Sequence, residues 1–459
     1  MTTRRLLLEA ALLPTGWAEN VALDIEDGWI RAARPGAAPE GRETLHGITL
    51  PGLPNLHSHS FQRAMAGLAE TRGPSSDSFW TWRQIMYGFL GPLTPEDVEA
   101  IAAFAAMEML EAGYTALVEF HYLHHDLSGR AYANPAELGA RIAAAAGETG
   151  IGLTLLPVLY SHGGFGAQPP TPGQARFVND TDAYARLLDA SAAALAPLED
   201  AVLGMAPHSL RAVSPDGLQR MLALRQDGPI HIHVAEQVKE VEDCLAWSGQ
   251  RPVDWLLSHA PVDARWCLIH ATHLDAAEVD ALAATGAVAG LCPITEANLG
   301  DGVFEAPRFL AAGGRIGVGS DSNVEITASG ELRLLEYSQR LARRGRNLLA
   351  AQPGASTGRS LYDAALSGGA QAAGRKLGRI EPGHRADLVV LDRAHPALAS
   401  MQGDGWLDAY VFSAGQAVVE SVVVGGRTVV SAGRHHGRDA ITARYKATLA
   451  RLLGSAPAA

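Results

Sequence analysis

Cysteine and lysine are scarce in this chain. The three cysteines, Cys244, Cys267 and Cys292, are odd in number, far apart and without a C-x-x-C pair, which excludes a disulfide framework and offers no thiolate zinc pattern. A reducing compartment follows, and the expected location is cytoplasmic. No stretch approaches the roughly 18 uninterrupted apolar residues of a membrane span. The run Leu6-Leu7-Leu8 is cut by Glu9 with no convincing small-residue cleavage site after it, so no secretory leader is expected. Positive charge is also short, with 37 Lys and Arg against 49 Asp and Glu and a net charge of -12. Nucleic acid or an anionic membrane surface would favour a basic patch. Neither is expected as a partner, and an anionic substrate would need arginines placed for it. Charge blocks long enough for disorder and repeats of solenoid period are missing too.

What is present suits a soluble globular enzyme: 459 residues, 47% hydrophobic and 19% charged, enough for one large domain and a small one. Between residues 50 and 374, short apolar runs alternate with helical stretches. Candidate strands end near His59, His121, Tyr160, His208, His233, His270, Pro293 and Asp321. Runs such as Leu153–Leu159 and Ile230–Val234 are almost continuously apolar or parity-matched, as strands covered on both faces must be. Eight such units predict an α/β fold, a (β/α)8 TIM-like barrel. Thr94-Pro95, Asn134-Pro135 and Ser214-Pro215 each place a capping residue before a proline, predicting helix starts there, and Gly113 and Gly150 predict stops. Residues 1–49 and 375–435 are rich in β-type runs and turn signals, and are expected to meet in one small β-sandwich. Residues 436–459 read as a terminal helix and tail. Two insertions, Arg72 to Pro92 with Phe79-Trp80-Thr81-Trp82-Arg83 and Gly163 to Asp180, follow strands on the face where barrel enzymes build their sites. Either suits a lid, a surface loop or a subunit contact.

His57 and His59 end the apolar run Leu50 to Leu56. Side chains two apart on a strand share a face, so both imidazoles can reach one point, and neutral imidazole is the commonest zinc ligand. A hydrogen-bonded core pair would read the same way in isolation. Further along, His233 and Glu236 stand in His-Val-Ala-Glu, His270 in Leu-Ile-His-Ala-Thr-His and Asp321 in Gly-Ser-Asp-Ser. All fall at the carboxyl ends of predicted strands five, six and eight, which converge in a closed barrel. His231 has the same parity as His233, but His233 lies nearer the strand end and has the glutamate three residues on. His270 is preferred over His273, which falls in a loop. His121, His124 and His125 are expected to be neighbours of the site or surface residues.

This set, H-x-H on strand one, H-x-x-E on five, His on six and Asp on eight, together with Gly383-His384-Arg385-Ala386-Asp387-Leu388-Val389, resembles the amidohydrolase superfamily along nearly the whole chain. The resemblance implies that His57, His59, His233 and Asp321 bind one Zn2+ per subunit, with water or hydroxide completing the site, and that Glu236, His270 and Asp321 act on that water and the substrate. Binuclear members commonly carry a bridging carboxylated lysine late in the middle strands; Lys239, Lys376 and Lys446 are the only lysines here, and none lies near those strand ends. A mononuclear site is therefore expected, as in the deaminase branch, where the glutamate shuttles protons to departing ammonia.

Five strings are more specific: Asn55-Leu56-His57-Ser58-His59-Ser60-Phe61-Gln62-Arg63-Ala64-Met65, Ser78 to Arg83, Glu119-Phe120-His121-Tyr122, His208-Ser209-Leu210-Arg211, and Thr295 to Gly302. They resemble a deiminase family of bacterial histidine degradation. What this implies is hydrolysis of N-formimino-L-glutamate to N-formyl-L-glutamate and ammonia. That small-molecule substrate is a dicarboxylate, which an acidic protein must hold with dedicated cations, and Arg83 and Arg211 are the candidates because a guanidinium pairs bidentately with a carboxylate. Gln62, Tyr122 and His208 are carried over as further substrate contacts. Arg63 has a structural alternative, and Asn323 stands after Asp321 where family strings often have histidine. A homodimer is the expected assembly. Two rival readings remain: a mononuclear-zinc deaminase of a purine, pterin or other cyclic amidine, which would not need two carboxylate forks, and a non-catalytic scaffold, which would be expected to have lost some of these polar residues.

Overall fold

The computed structural model describes residues 2–73 and 77–454. The expected tail at 455–459 and the centre of the first insertion, 74–76, lie outside the described residues. The chain opens with four strands, β1 (Thr3–Leu13), β2 (Gly16–Glu26), β3 (Trp29–Arg34) and β4 (Glu43–Pro51). They share one eight-stranded sheet with four strands from the far end of the sequence, β14 (Leu388–Leu391), β15 (Val419–Val424), β16 (Arg427–Ser431) and β17 (Arg434–His435), in the order β17-β16-β15-β14-β4-β1-β2-β3. Only β1 and β4 run parallel in it. A separate apolar core holds the sheet around itself: Leu6, Leu8, Leu23 and Ile25 from one half pack with Leu388 and Val423 from the other. Arg4 ties the same halves by donating to the carbonyl of Gly426 at 2.9 Å.

The barrel strands are β5 (Leu53–Ser58), β6 (Tyr114–His121), β7 (Gly152–Leu159), the broken pair β8 (Val202–Leu203) and β9 (Ala206–Pro207), then β10 (Ile230–Val234), β11 (Trp266–His270), β12 (Val288–Leu291) and β13 (Arg315–Val318). Each is parallel to its neighbour. Bridges Met205 to Ile230 and Ser209 to His233 join the two arcs on one side, and Ser58 to Asp321 joins them on the other. The ring is thereby closed, and strand ends expected from sequence fall within about three residues of those observed, the usual uncertainty of a boundary. The chain returns through β14 (Leu388–Leu391), β15 (Val419–Val424), β16 (Arg427–Ser431) and β17 (Arg434–His435) to complete the outer sheet. Between β14 and β15, residues 405–418 form short helical turns rather than β structure.

Local sequence signals explain most helix starts. Thr94 and Asp97 cap the helix Pro95–Glu111 reciprocally, and Ser214 caps Pro215–Leu224. Asn134 does not cap as expected. Its Oδ1 accepts the N–H of Ala136 and its carbonyl that of Glu137, making a turn, and the helix begins at Glu137. Gly150 ends that helix in the left-handed conformation, φ 79°. The last helix, Arg438–Gly454, lies on Pro95–Glu111 with Tyr445 stacked on Phe104 at 3.9 Å between ring centroids. Among the described residues, no helix is long and apolar enough to cross a membrane.

Candidate metal centre and substrate pocket

The seam that closes the barrel also builds the site. The N–H of Asp321 donates to the carbonyl of His57 at 3.0 Å, and the N–H of His59 to the carbonyl of Asp321 at 2.9 Å. Two histidines and an aspartate from opposite ends of the barrel sequence are thus locked in one register. Asp321 takes φ 44°, a turn conformation that residues with a Cβ rarely adopt. Asn323 braces it. Its side-chain amide donates towards Ser58 Oγ and the carbonyls of His59 and Asp321, while Oδ1 accepts the Ser320 hydroxyl at 2.6 Å. The Asn323 side chain is spent on this scaffold, which accounts for the departure noted in the sequence. Arg63 is structural as well, paired with Glu108 and donating to the carbonyls of Asn323 and Val324.

One ligand atom each from His57, His59, His233 and Asp321 lies within 4.8 Å of the others, and all four side chains are buried. Asp321 Oδ1 is 3.4 Å from His57 Nε2 and 3.3 Å from His59 Nε2. Nδ1–H of His59 donates to the carbonyl of Phe120 at 2.9 Å, and Nδ1–H of His233 to that of His208 at 3.1 Å. Because a carbonyl only accepts, both rings carry the proton on Nδ1 and present a bare Nε2 to the cluster. His57 Nε2 and His233 Nε2 face each other at 3.1 Å. Burial holds the His57 imidazole down to about 3 and shifts His59 and His233 downward as well. The Asp321 carboxyl is held below its usual range in spite of burial by the His57, His59 and His270 rings around it. Three neutral imidazoles and one carboxylate, converging in a buried cluster, fit a divalent cation.

His270 and Glu236 stand beside this cluster. His270 Nδ1–H donates to Glu296 Oε1 at 3.2 Å, and its Nε2 lies 3.8 Å from Asp321 Oδ2 and 3.9 Å from Glu236 Oε1. Burial opposes charge on the ring, but Glu236, Glu296 and Asp321 outweigh it and push the imidazole up to about 10. Burial likewise raises the Glu236 carboxyl to about 7, moderated by His270 and Arg211. Cys292 also adjoins His270 and Asp321, with its thiol kept protonated by burial.

A pocket opens over these groups, walled by His59, Gln62, Arg83, Tyr122, His208, Arg211, His233, Glu236, His270 and Asp321. Every residue expected from the sequence at the site, apart from the fully buried His57 behind it, therefore lines one cavity. Its roof comes from the first insertion, now the helix Phe79–Leu90, which Ser78 caps and from which Phe79, Trp82, Arg83, Met86 and Tyr87 face the pocket. The second insertion supports that helix: Gly173 sits where a Cβ would meet Tyr87 at 2.7 Å, and Phe177 completes the wall. Gln62 Nε2 donates to the Tyr122 hydroxyl at 2.8 Å, leaving Gln62 Oε1 buried without a partner. Arg83 and Arg211 both lie over the Trp80 ring, at 4.8 and 5.7 Å, and the buried Nε of each lacks a partner.

The other histidines lie elsewhere. His231 Nε2 bonds the carbonyl of Ala372 at 2.8 Å inside the barrel, and His273 Nε2 that of Asp301 at 2.9 Å. His124 and His125 bond the carbonyls of Val158 and Val178, and His121 is buried with both ring nitrogens unpartnered. Sequence reasoning held Glu296 only within the string Thr295 to Gly302, without a role, and missed Glu240; the folded turns reveal the position of each.

Comparison with known proteins agrees with the geometry. The model of the Amidohydrolase family matches residues 48–429, and that of the N-terminal domain of formimidoylglutamate deiminase HutF matches residues 8–47. A formimidoylglutamate deiminase of Pseudomonas aeruginosa is 56% identical over 449 residues, covering 97% of this chain and 98% of the relative. Among solved structures, an amidohydrolase from Brucella melitensis superposes with a TM-score of 0.94 at 53% identity, covering 98% of this chain and 100% of its own. A zinc-bound adenosine deaminase from Xanthomonas campestris shares the fold, with a TM-score of 0.80 at 23% identity and 98% of each chain covered.

Proposed function

Since the chain belongs to the amidohydrolase family, we propose that it hydrolyses the C–N bond of a linear amidine, converting N-formimino-L-glutamate and water to N-formyl-L-glutamate and ammonia in histidine degradation. The observation that carries the substrate is the pair Arg83 and Arg211 over the same pocket as the four-donor cluster, each with an unspent buried Nε donor. Two guanidiniums suit two carboxylates. Arg211 already faces Glu236 and Glu240, at 3.7 and 3.9 Å, whereas a neutral ring would leave Arg83 without a carboxylate counterpart.

His57, His59, His233 and Asp321 would hold one divalent ion, taken to be Zn2+, whose chemistry is to acidify water towards neutrality and polarise the amidine. Glu236, with a carboxyl near 7, takes one proton from the attacking water and delivers it to the imine nitrogen, then takes the second from the new hydroxyl and delivers it to the resulting amine, which leaves as ammonia as the C=O forms and the C–N bond breaks. His270, oriented by Glu296, sits between Glu236 Oε1 and Asp321 Oδ2 and balances the negative charge that develops on the attacked carbon's oxygen. Gln62 Oε1, free of protein donors, accepts a substrate N–H, and Tyr122 and His208 form the wall beside it. The helix Phe79–Leu90 excludes water from above.

The direct test is ammonia release from N-formimino-L-glutamate beside guanine and cytosine, with metal analysis of the same sample. Release from the acyclic substrate alone, at one metal per chain, supports the assignment. Activity on a base with none on the acyclic substrate would overturn it in favour of a cyclic-amidine deaminase.

A further inference from the structure

We propose that Glu240 is the positioning residue for Glu236, fixing both the turn that carries it and the guanidinium beside it; this rests on the reading of Glu236 as the proton carrier. After β10 ends at Val234, the chain must turn within two residues to bring Glu236 over the barrel mouth. Ala235 makes that turn at φ 53°, in the left-handed region that a residue with a Cβ enters at a cost.

Glu240 lies on the first turn of the helix Val238–Ser248 and has no exposed surface. Its Oε1 accepts the N–H of Ala235 at 3.2 Å and its Oε2 the N–H of Glu236 at 3.1 Å. A capping glutamate ordinarily reaches back to the N-cap residue, which is Gln237 here. Glu240 reaches past it, to the two residues on which the catalytic geometry depends. The carbonyls of the turn are held from the loop that follows the next strand, by the N–H of Ala271 on Val234 and of His273 on Ala235. Glu240 Oε2 is also 3.9 Å from Arg211 Nη2, and Glu236 Oε2 is 3.7 Å from the same nitrogen. One buried carboxylate therefore holds the backbone of Glu236 and shares the cation that faces its side chain. A helix cap alone would require neither contact.

The test compares steady-state kinetics of the metal-loaded wild type with Glu240→Gln, which offers one acceptor oxygen where the turn needs two and no charge for Arg211. The expected result is a fall in kcat of about 100-fold, the scale of an ångström-sized misplacement, with KM within about threefold and metal content unchanged. Adding Ala235→Gly, which enters φ 53° without a Cβ, should recover part of that loss. Unchanged kcat in folded E240Q overturns the proposal, as does a loss that follows melting temperature and that glycine does not relieve. If E240Q fails to fold, E240D carries the same readings, because its shorter carboxylate keeps the charge but cannot span both N–H groups. E236Q is measured alongside: full activity there removes the reading of Glu236 itself, whereas an inactive E236Q beside a normal E240Q overturns only the positioning role.

Discussion

Glu296 Oε1 accepts the Nδ1–H of His270 at 3.2 Å and the backbone N–H of Cys292 at 2.9 Å. A residue from the helix Pro293–Leu299, after β12, thus fixes the ring of a histidine that ends β11. It leaves Nε2 as the only nitrogen His270 can offer the pocket, and it adds charge that favours the protonated ring. Replacing Glu296→Gln keeps an acceptor but removes the charge. We expect kcat to fall roughly 10- to 100-fold, equivalent to one charge-assisted hydrogen bond of about 1.5–3 kcal/mol, with metal content intact by atomic absorption. A variant within about twofold of wild type would show that Glu296 serves the fold alone.

Glu236→Gln cannot carry a proton. Its kcat should drop at least about 100-fold, the usual scale for losing a general acid or base, while the metal stays bound because Glu236 is not among the four converging donors. Near-normal turnover in a metal-replete sample would defeat the role assigned to it.

Arg83→Met tests carboxylate recognition. For N-formimino-L-glutamate the loss should appear mainly as a rise in KM, with kcat/KM lowered roughly 10- to 100-fold. For a formamidine lacking carboxylates, wild type and variant should turn over equally poorly. If the variant is impaired equally on both substrates, Arg83 does not read a carboxylate.

Glu119 gives a pH-dependent stability signature. Burial raises its carboxyl to about 7 although Ser60 donates to both oxygens, N–H at 2.8 Å and hydroxyl at 2.6 Å. The folded value lies above the usual 4.5, so the folded chain binds the proton more tightly than the unfolded one. Stability from this group is therefore present below pH 4.5 and is lost as pH rises through about 7. The loss is up to about 3 kcal/mol. Glu119→Gln, neutral throughout, should melt progressively higher relative to wild type as pH goes from 5 to 8; a difference independent of pH over that range would refute the shift.

Much of the architecture was legible in the primary sequence because a barrel imposes one rule: side chains that end parallel strands on the same rim must meet. His57, His59, His233, His270 and Asp321 could be assigned to such ends from apolar runs alone, and their convergence followed from closure. What was not legible depends on turns. Glu240 looks like an ordinary solvated charge in Lys239-Glu240-Val241, and only the left-handed bend at Ala235 brings two backbone donors to it. Glu296 lies in a short helix whose direction no periodicity specifies. Asn134 failed as a cap because asparagine bonds its own turn as readily as a helix end. Asn323 stood out as a departure at the site, yet its amide braces the backbone beneath it.

The reciprocal bonds between His57, His59 and Asp321 have a temporal consequence during synthesis. About 260 residues separate the two partners, so a nascent polypeptide emerging from the ribosome carries its first two imidazoles long before their aspartate is made. Until the eighth stave docks, those rings belong to an open arc with an unpaired edge, the kind of intermediate that chaperones protect. The four-donor set is complete only once Asp321 has been made and has met His57 and His59, so a polypeptide arrested upstream of Asp321 would lack the complete cage.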